Sequence, residues 1–317
     1  MKRILFLLSF SLLLTTPLCA QSFKTLWKRV ETSMSQDLPE TAREQVKTIR
    51  AKALTEQNFA QLLRASLIEG LLCDEISPDS FSVWQKAMEE ALKNETRPVE
   101  RALWHAALGL TGSSRSCFMP TDTMSVNRAA AHLTAALESA AALAATPYTD
   151  HLPLFVKGKD SRFFGNDLLH IVFRGAQEAN VWDAKETMRR RSQVIQIYRR
   201  LHRTDAVVLL SLDSIAEAGR GESVAGKLED DARFRALENL LEAYETTEVS
   251  AKIVAAMTAL RSSYAENAPA AAHNDSLLLE RARRILKKGK NLPGAAEVSN
   301  FLLIMQNPVV HLVRFPQ

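Results

Sequence analysis

The sequence predicts an all-α protein built as an irregular array of helical hairpins, either a tetratricopeptide-like solenoid or a bundle. Apolar residues recur at helical spacing in successive short blocks, and turn and capping residues separate these blocks. Glycine and proline number only 11 each among 317 residues, so glycine falls below its usual share of about 7%. The repeat pattern of a regular tetratricopeptide array is missing, and any repeats are therefore degenerate.

The stretch Asp37–Ser66 shows the unit most clearly. Asp37 can cap a first helix, and Pro39 suits its first position, where the missing N–H is not needed. Asn58 can cap a second helix. The apolar stripe of this pair consists of Val46, Ile49, Ala53, Phe59, Leu62, Leu63 and Leu67. The stretch is therefore predicted to form a helix, a capped turn and a second helix.

The same reasoning predicts helices along the rest of residues 21–306, with an irregular segment and a subdivision of the array near 146–166. One of these helices, over 183–202, should turn Met188, Ile195, Tyr198 and Leu201 inward and its arginines outward. The other predicted helices are 23–34, 78–93, 97–110, 123–145, 168–176, 205–218, 227–244, 248–265, 275–288 and 294–305.

Residues 1–20 have the pattern of a secretory signal peptide. A positive end, Met1–Arg3, precedes the apolar run Ile4–Leu14, which is shorter than the roughly 20 residues of a membrane span. Ala20 would be the last residue before cleavage. We therefore expect an exported, periplasmic protein. Cys19 offers a lipoprotein alternative, and membrane association at the outer membrane or cell surface is expected only if Cys19 is lipidated, although Leu18 replaces the small residue of a lipobox.

The charge of the chain is nearly balanced once residues 1–20 are removed. Lysine and arginine then fall from 40 to 38 against 36 acidic residues, because Lys2 and Arg3 leave. Nucleic acid is therefore not an expected partner. The basic run from Arg189 to Arg203 is interpreted as the solvated face of an amphipathic helix, with binding of acidic partners or lipid head groups as the alternative.

Two cysteines, Cys73 and Cys117, remain after cleavage. In an oxidising compartment they could form a disulfide. Two buried thiols are the alternative, since cysteine on a helix behaves as a small apolar residue.

The sequence contains no motif of a catalytic, cofactor or metal site. None of the seven histidines lies three to five residues from another, and none joins a cysteine cluster. Gly221–Lys227 has phosphate-loop spacing, but Leu228 follows the lysine where Ser or Thr would hold magnesium. The tryptophans are predicted to be core anchors: Trp27, Trp84, Trp104 and Trp182. We therefore expect no enzyme activity, cofactor or metal.

Several segments resemble the N-terminal helical region of bacterial alpha-2-macroglobulin-like proteins. They are LWKRVE, DLPETAREQVKTIRAKALTEQNFAQLLRA, Lys159–His170 (KDSRFFGNDLLH), IYRRLHRTDAVVLLSL from Ile197 and LENLLEAYE from Leu237. The resemblance covers about residues 1–308 and rests on helical-hairpin sequences rather than catalytic motifs. It implies a helical module that precedes a series of β-sandwich domains in a protease-trapping protein.

The tail 307–317, NPVVHLVRFPQ, alternates in the manner of a strand and resembles the first strand of that series. We therefore expect a junction to a missing β domain, so that the chain is a fragment, or alternatively a free-standing protein that kept only this module. Neither Cys73, followed by Asp-Glu-Ile, nor Cys117, followed by Phe-Met-Pro, matches the Cys-Gly-Glu-Gln thioester of the family.

The expected function is a non-catalytic periplasmic scaffold or docking module that lacks the family's bait and thioester. Its partner would be another protein or the remaining domains of a longer protein. The alternative is a stand-alone tetratricopeptide-like module of the periplasm that binds a protein or peptide. A third hypothesis, an exported helical hydrolase, requires a buried histidine beside a serine or a carboxylate in a pocket.

Overall fold

Helices connected by short turns make up the protein in a computed structural model, which describes residues 21–112, 123–158, 160–218, 228–264, 268–289 and 291–306. These ranges contain fourteen α-helices and three short 3₁₀ helices, and their one isolated β-bridge joins Pro147 to Asp167. The all-α prediction is confirmed. The predicted signal peptide, the phosphate-loop-like segment and the strand-like tail lie outside the described residues.

The chain divides into two compact units, Met1–Ala184 and Lys185–Gln317, and residues 146–166 lie inside the first. Within the described part of the first unit, 3₁₀ helices at Tyr148–His151 and Ser161–Phe164 precede the last helix. Its α-helices are α1 (Phe23–Ser35), α2 (Pro39–Thr55), α3 (Phe59–Ile76), α4 (Pro78–Asn94), α5 (Pro98–Thr111), α6 (Thr123–Glu138), α7 (Ala140–Ala145) and α8 (Leu168–Ala179).

Each of the first five helices packs against the next one in the chain, as expected of an array of hairpins. The core of α1–α3 buries Val46 and Ile49 of the predicted apolar stripe together with six further residues: Leu26, Trp27, Val30, Ala42, Ala65 and Leu72. Further along, Gly109 of α5 lets α6 approach so closely that an added Cβ would lie 2.5 Å from Leu133 Cγ. The alanine-rich helix α6 thus lies close to the backbone of α5.

Two local predictions in the first unit are wrong. Leu38, not Asp37, is the N-cap residue of α2, because Asp37 has a φ of 58° and ends the turn after α1. The helix predicted over 123–145 is interrupted at Ser139, whose ψ of 20° separates α6 from α7. Asn58 does cap α3, because its Oδ1 accepts a hydrogen bond from the Gln61 amide at 3.1 Å.

The second unit is a smaller array with its own core. A 3₁₀ turn at Leu228–Asp230 leads into α11, and α12 packs against α10, α11, α13 and α14. The core therefore centres on α12, whose Ile253, Val254 and Met257 are fully buried. The helices are α9 (Ala184–Arg200), α10 (Thr204–Ala218), α11 (Ala232–Tyr244), α12 (Ser250–Ser262), α13 (Ala268–Lys288) and α14 (Ala295–Gln306).

The inward face predicted for α9 is only half correct. Ile195 and Tyr198 are buried, but Met188 and Leu201 are 44% and 43% exposed. Arg191, predicted to face outward, is instead 3% exposed, with its Nη1 2.5 Å from Glu217 Oε2 on α10. The Glu217 carboxylate on the neighbouring helix thus offsets the desolvation cost of burying this guanidinium.

Candidate functional site

Two neighbouring cavities of about 510 and 550 Å³ share Gln57, Phe59 and Arg97 in the first unit, and together we call them the Phe59 groove. The turn α2–α3, the turn α4–α5 and the segment 146–152 form its walls. The first cavity, the apolar lobe, is also lined by Ala53, Leu54, Leu62, Ala91 and Trp104. The second, the acidic lobe, is also lined by Glu56, Glu100, Asp150, His151 and Leu152.

The turn between α2 and α3 places Phe59 where the lobes meet. Gln57 adopts a φ of 52°, which ends α2, and Asn58 then caps α3. Phe59, the first residue of α3, is 6% exposed and packs edge-to-face against Trp104 and His151, with ring centroids 5.9 Å apart in each case. This turn therefore fixes an aromatic floor for both lobes.

Arg97 is held in place at the second turn by two carboxylates. Its Nε and Nη2 donate to the Glu95 carboxylate at 3.0 and 2.8 Å, and its Nη1 lies 3.4 Å from Glu100. These hydrogen bonds from Arg97 lower the pKa of Glu95 below its usual value. The guanidinium also lies 5.5 Å from the centroid of the Phe59 ring, within cation–π range. The positive charge of Arg97 is therefore largely balanced by the carboxylates of Glu95 and Glu100.

His151 is buried in the wall of the acidic lobe. Burial lowers the pKa of its imidazole, although Glu100 and Asp150 act in the opposite direction, so the ring is neutral near pH 7. Its Nδ1 has no hydrogen-bond partner among the described residues, and the hydroxyl of Thr146, which also lines the lobe, donates to the Ala142 carbonyl. His151 and Thr146 therefore do not form a hydrogen-bonded base–nucleophile pair in this lobe, and the hydrolase hypothesis stays a prediction.

Two leucines stand exposed at the edges of the groove. Leu54 of the apolar lobe is 57% exposed, and Leu152 of the acidic lobe is 53% exposed. The groove thus combines an aromatic floor, a fixed set of charges and an apolar rim.

The structure describes one of the two cysteines of the predicted disulfide. Cys73, on α3, is 1% exposed, and burial raises the pKa of its thiol. Cys117 lies outside the described residues. The Cys73–Cys117 disulfide therefore stays a prediction.

Three arginines of the basic run on α9 are paired with carboxylates. Arg189 and Arg190 both reach Glu186, at 2.6 and 2.7 Å, and Arg191 is buried against Glu217. Arginines that are already paired present little free positive charge to an acidic partner. Arg199 and Arg200 are exposed, as the solvated face predicts, whereas Arg191 is buried, and a partner for this run stays a prediction.

The structure brings together His105 of α5 and His132 of α6, which lie 27 residues apart in the chain and were not predicted to meet. Their Nδ1 atoms lie 3.0 Å apart. Burial lowers the pKa of both rings, and that of His105 falls to about 4, so one neutral ring donates to the other at neutral pH. In the described part of the chain, no three histidine, cysteine or acidic side chains are grouped so that they could hold a metal ion.

A comparison with protein-family models and with curated proteins finds no match to this chain. None of the described helices has the length and the apolar character needed to cross a lipid bilayer. The class that the structure defines is thus an all-α array of helical hairpins, and the Phe59 groove is the candidate site on its surface.

Proposed function

We propose that the protein is a non-catalytic, exported docking module that binds a protein segment in the Phe59 groove. The observation that carries this proposal is the meeting of two cavities, about 510 and 550 Å³, over one aromatic floor beside exposed Leu54 and Leu152. Cavities of this size are typical of binding sites, and helical arrays commonly bind partners on surfaces formed by successive repeats.

The proposed compartment is the periplasm. This proposal rests on residues 1–20, which have the pattern of a signal peptide. The resemblance to the helical region of alpha-2-macroglobulin-like proteins supports the same compartment and an accessory role. The bound segment would then belong to a separate protein, or to further domains if the chain is one end of a longer polypeptide.

Site-specific photo-crosslinking in native cells tests the docking proposal. A benzophenone amino acid at Leu54 or at Leu152 should give an adduct to the same protein, because both side chains line the Phe59 groove. The control position is Val83 of α4, which is 65% exposed and lines neither lobe. Equal labelling at all three positions, or none at Leu54 and Leu152, would contradict docking in the groove.

A blot of fractionated cells with an antibody to residues 21–300 tests the compartment and the context. A periplasmic band at the size of the mature chain would support a stand-alone module. A periplasmic band of much larger size would support a position within a longer protein. A band confined to the cytoplasm would contradict export.

A further inference from the structure

The charges that line the acidic lobe are predominantly negative. Glu56, Glu100 and Asp150 contribute three carboxylates, and Arg97 contributes the one guanidinium of that lining. Arg97 is already bonded to Glu95 through two nitrogens. Its Nη1 also lies 3.4 Å from Glu100, so this one guanidinium is shared by two carboxylates.

Two further cations must be counted, because they bind residues of the groove wall. Lys52 Nζ is 2.5 Å from Glu56, and Arg101 Nη1 donates to the Glu95 carbonyl at 3.2 Å. Over the whole groove, four carboxylates (Glu56, Glu95, Glu100 and Asp150) still outnumber these two cations and Arg97. His151 is neutral near pH 7 and adds no positive charge. The electrostatic field of the groove therefore favours a positively charged ligand.

The apolar lobe has a different chemistry. Its charged lining consists of Glu95 and Arg97, which are bonded to each other, and the rest of its wall is mostly apolar, with Leu54, Leu62 and Trp104. A paired charge can be covered at lower desolvation cost than a single one. This lobe is therefore suited to an aliphatic or aromatic side chain.

We propose that the Phe59 groove binds an extended peptide segment that carries an apolar side chain and, two residues away, a lysine or arginine. In an extended segment, alternate side chains lie about 7 Å apart on one face, so one enters the apolar lobe while the other reaches Glu100 and Asp150. This inference rests on the proposed docking function and specifies the chemistry of its ligand.

Fluorescence anisotropy with the purified full chain measures this preference. The probes are four fluorescein-labelled peptides of glycine and serine that contain Leu-Gly-Arg, Leu-Gly-Glu, Ser-Gly-Arg or Ser-Gly-Glu. The Leu-Gly-Arg peptide should bind about tenfold more tightly than the Leu-Gly-Glu peptide, since reversing one charge replaces attraction by repulsion. Raising the salt from about 50 to about 500 mM should shrink this difference, because the carboxylates are solvent-accessible.

A charge reversal in the groove gives the sharper test. Asp150 is exposed, so Asp150→Lys should fold normally and should weaken binding of the Leu-Gly-Arg peptide while strengthening that of the Leu-Gly-Glu peptide. The matched control is Glu138→Lys, an equal charge change at an exposed residue of α6 that does not line the groove. The control should keep the preference of the unaltered chain.

The result that supports the inference is a preference for Leu-Gly-Arg that Asp150→Lys reverses and Glu138→Lys preserves. Equal binding of the Arg and Glu peptides, a preference for Glu, or no binding of any probe would overturn it. Crosslinking from Leu54 and Leu152 reports docking whatever the chemistry of the ligand. Failure of the peptide preference with successful crosslinking would thus reject this inference and leave the docking function in place.

Discussion

Gly70→Ala should destabilise the first unit, although alanine is normally the better helix former. Gly70 lies inside α3, and a Cβ added there would lie 2.5, 2.6 and 2.9 Å from Cε2, Cζ2 and Cδ2 of Trp84 on α4. Carbon atoms in favourable contact are about 3.5–4.0 Å apart, so the indole would have to retreat by roughly 1 Å.

The indole of Trp84 has little freedom to retreat. It is 5% exposed, and its Nε1 donates a 2.6 Å hydrogen bond to the carbonyl of Ser66. Overpacking of a core costs about 1–3 kcal/mol, and weakening a buried hydrogen bond adds about 1 kcal/mol. The helix propensity of alanine returns about 1 kcal/mol. The expected net loss in free energy of unfolding is therefore about 1–3 kcal/mol.

Urea denaturation followed by tryptophan fluorescence is the appropriate assay, because all four tryptophans lie in the first unit. The matched control is Gly175→Ala in α8, where the nearest atoms to the added Cβ are Leu110 side-chain carbons at 3.3 Å. This control should stay within about 0.5 kcal/mol of the unaltered chain, because a leucine side chain can adjust and alanine favours the helix.

A double-mutant cycle isolates the proposed clash. In a Trp84→Leu background the indole atoms are gone, so Gly70→Ala should cost less than about 0.5 kcal/mol or become stabilising. The reasoning is refuted if Gly70→Ala leaves the unaltered chain as stable as before. It is refuted equally if the substitution costs the same in both backgrounds.

Three further substitutions or conditions test other contacts. Burial lowers the pKa of His105 to about 4, against about 6.5 in the unfolded chain, so the unfolded chain binds more protons between these two pH values. The free energy of unfolding of the first unit should therefore fall by about 1–2 kcal/mol from pH 6.5 to 4. His105→Gln should reduce this loss, as measured by urea titrations that follow fluorescence. Tyr264→Phe removes a hydroxyl that donates to Asp231 at 2.5 Å and should cost the second unit about 1–2 kcal/mol by circular dichroism. Gly294→Ala should cost about 2 kcal/mol or more in the same assay, because the residue has a φ of 92° and its added Cβ would lie 2.7 Å from a backbone nitrogen of α12.

Each of these predictions has a matched control in the chain. The exposed His273→Gln should leave the pH dependence of the first unit unchanged. Tyr244→Phe, at a half-buried tyrosine, and Gly289→Ala, whose added Cβ meets only Leu292 at 3.5 Å or beyond, should each change stability by less than about 0.5 kcal/mol. Losses in the controls as large as those in the test variants would contradict the assigned contacts.

The helices and most of the core could be predicted from the sequence, because both depend on local order. Spacing of apolar residues indicates which side of a helix is buried, and this places Val46, Ile49 and Ala53 in the core whatever they pack against. The cap at Asn58 is equally local. Prediction failed where a neighbouring helix decides the outcome, as at Arg191, which the facing Glu217 allows to be buried.

The Phe59 groove could not be predicted, because its parts are far apart in the chain. Phe59, Arg97 and His151 come from three separate turns, and nothing in their local sequences relates one to another. The same holds for His105 and His132, which are neighbours only because α5 and α6 pack together. The sequence alone thus determined which segments are helical and which residues are apolar enough to be buried. Only the tertiary structure decided which turns adjoin, since non-local packing chooses the side chains that meet at a surface.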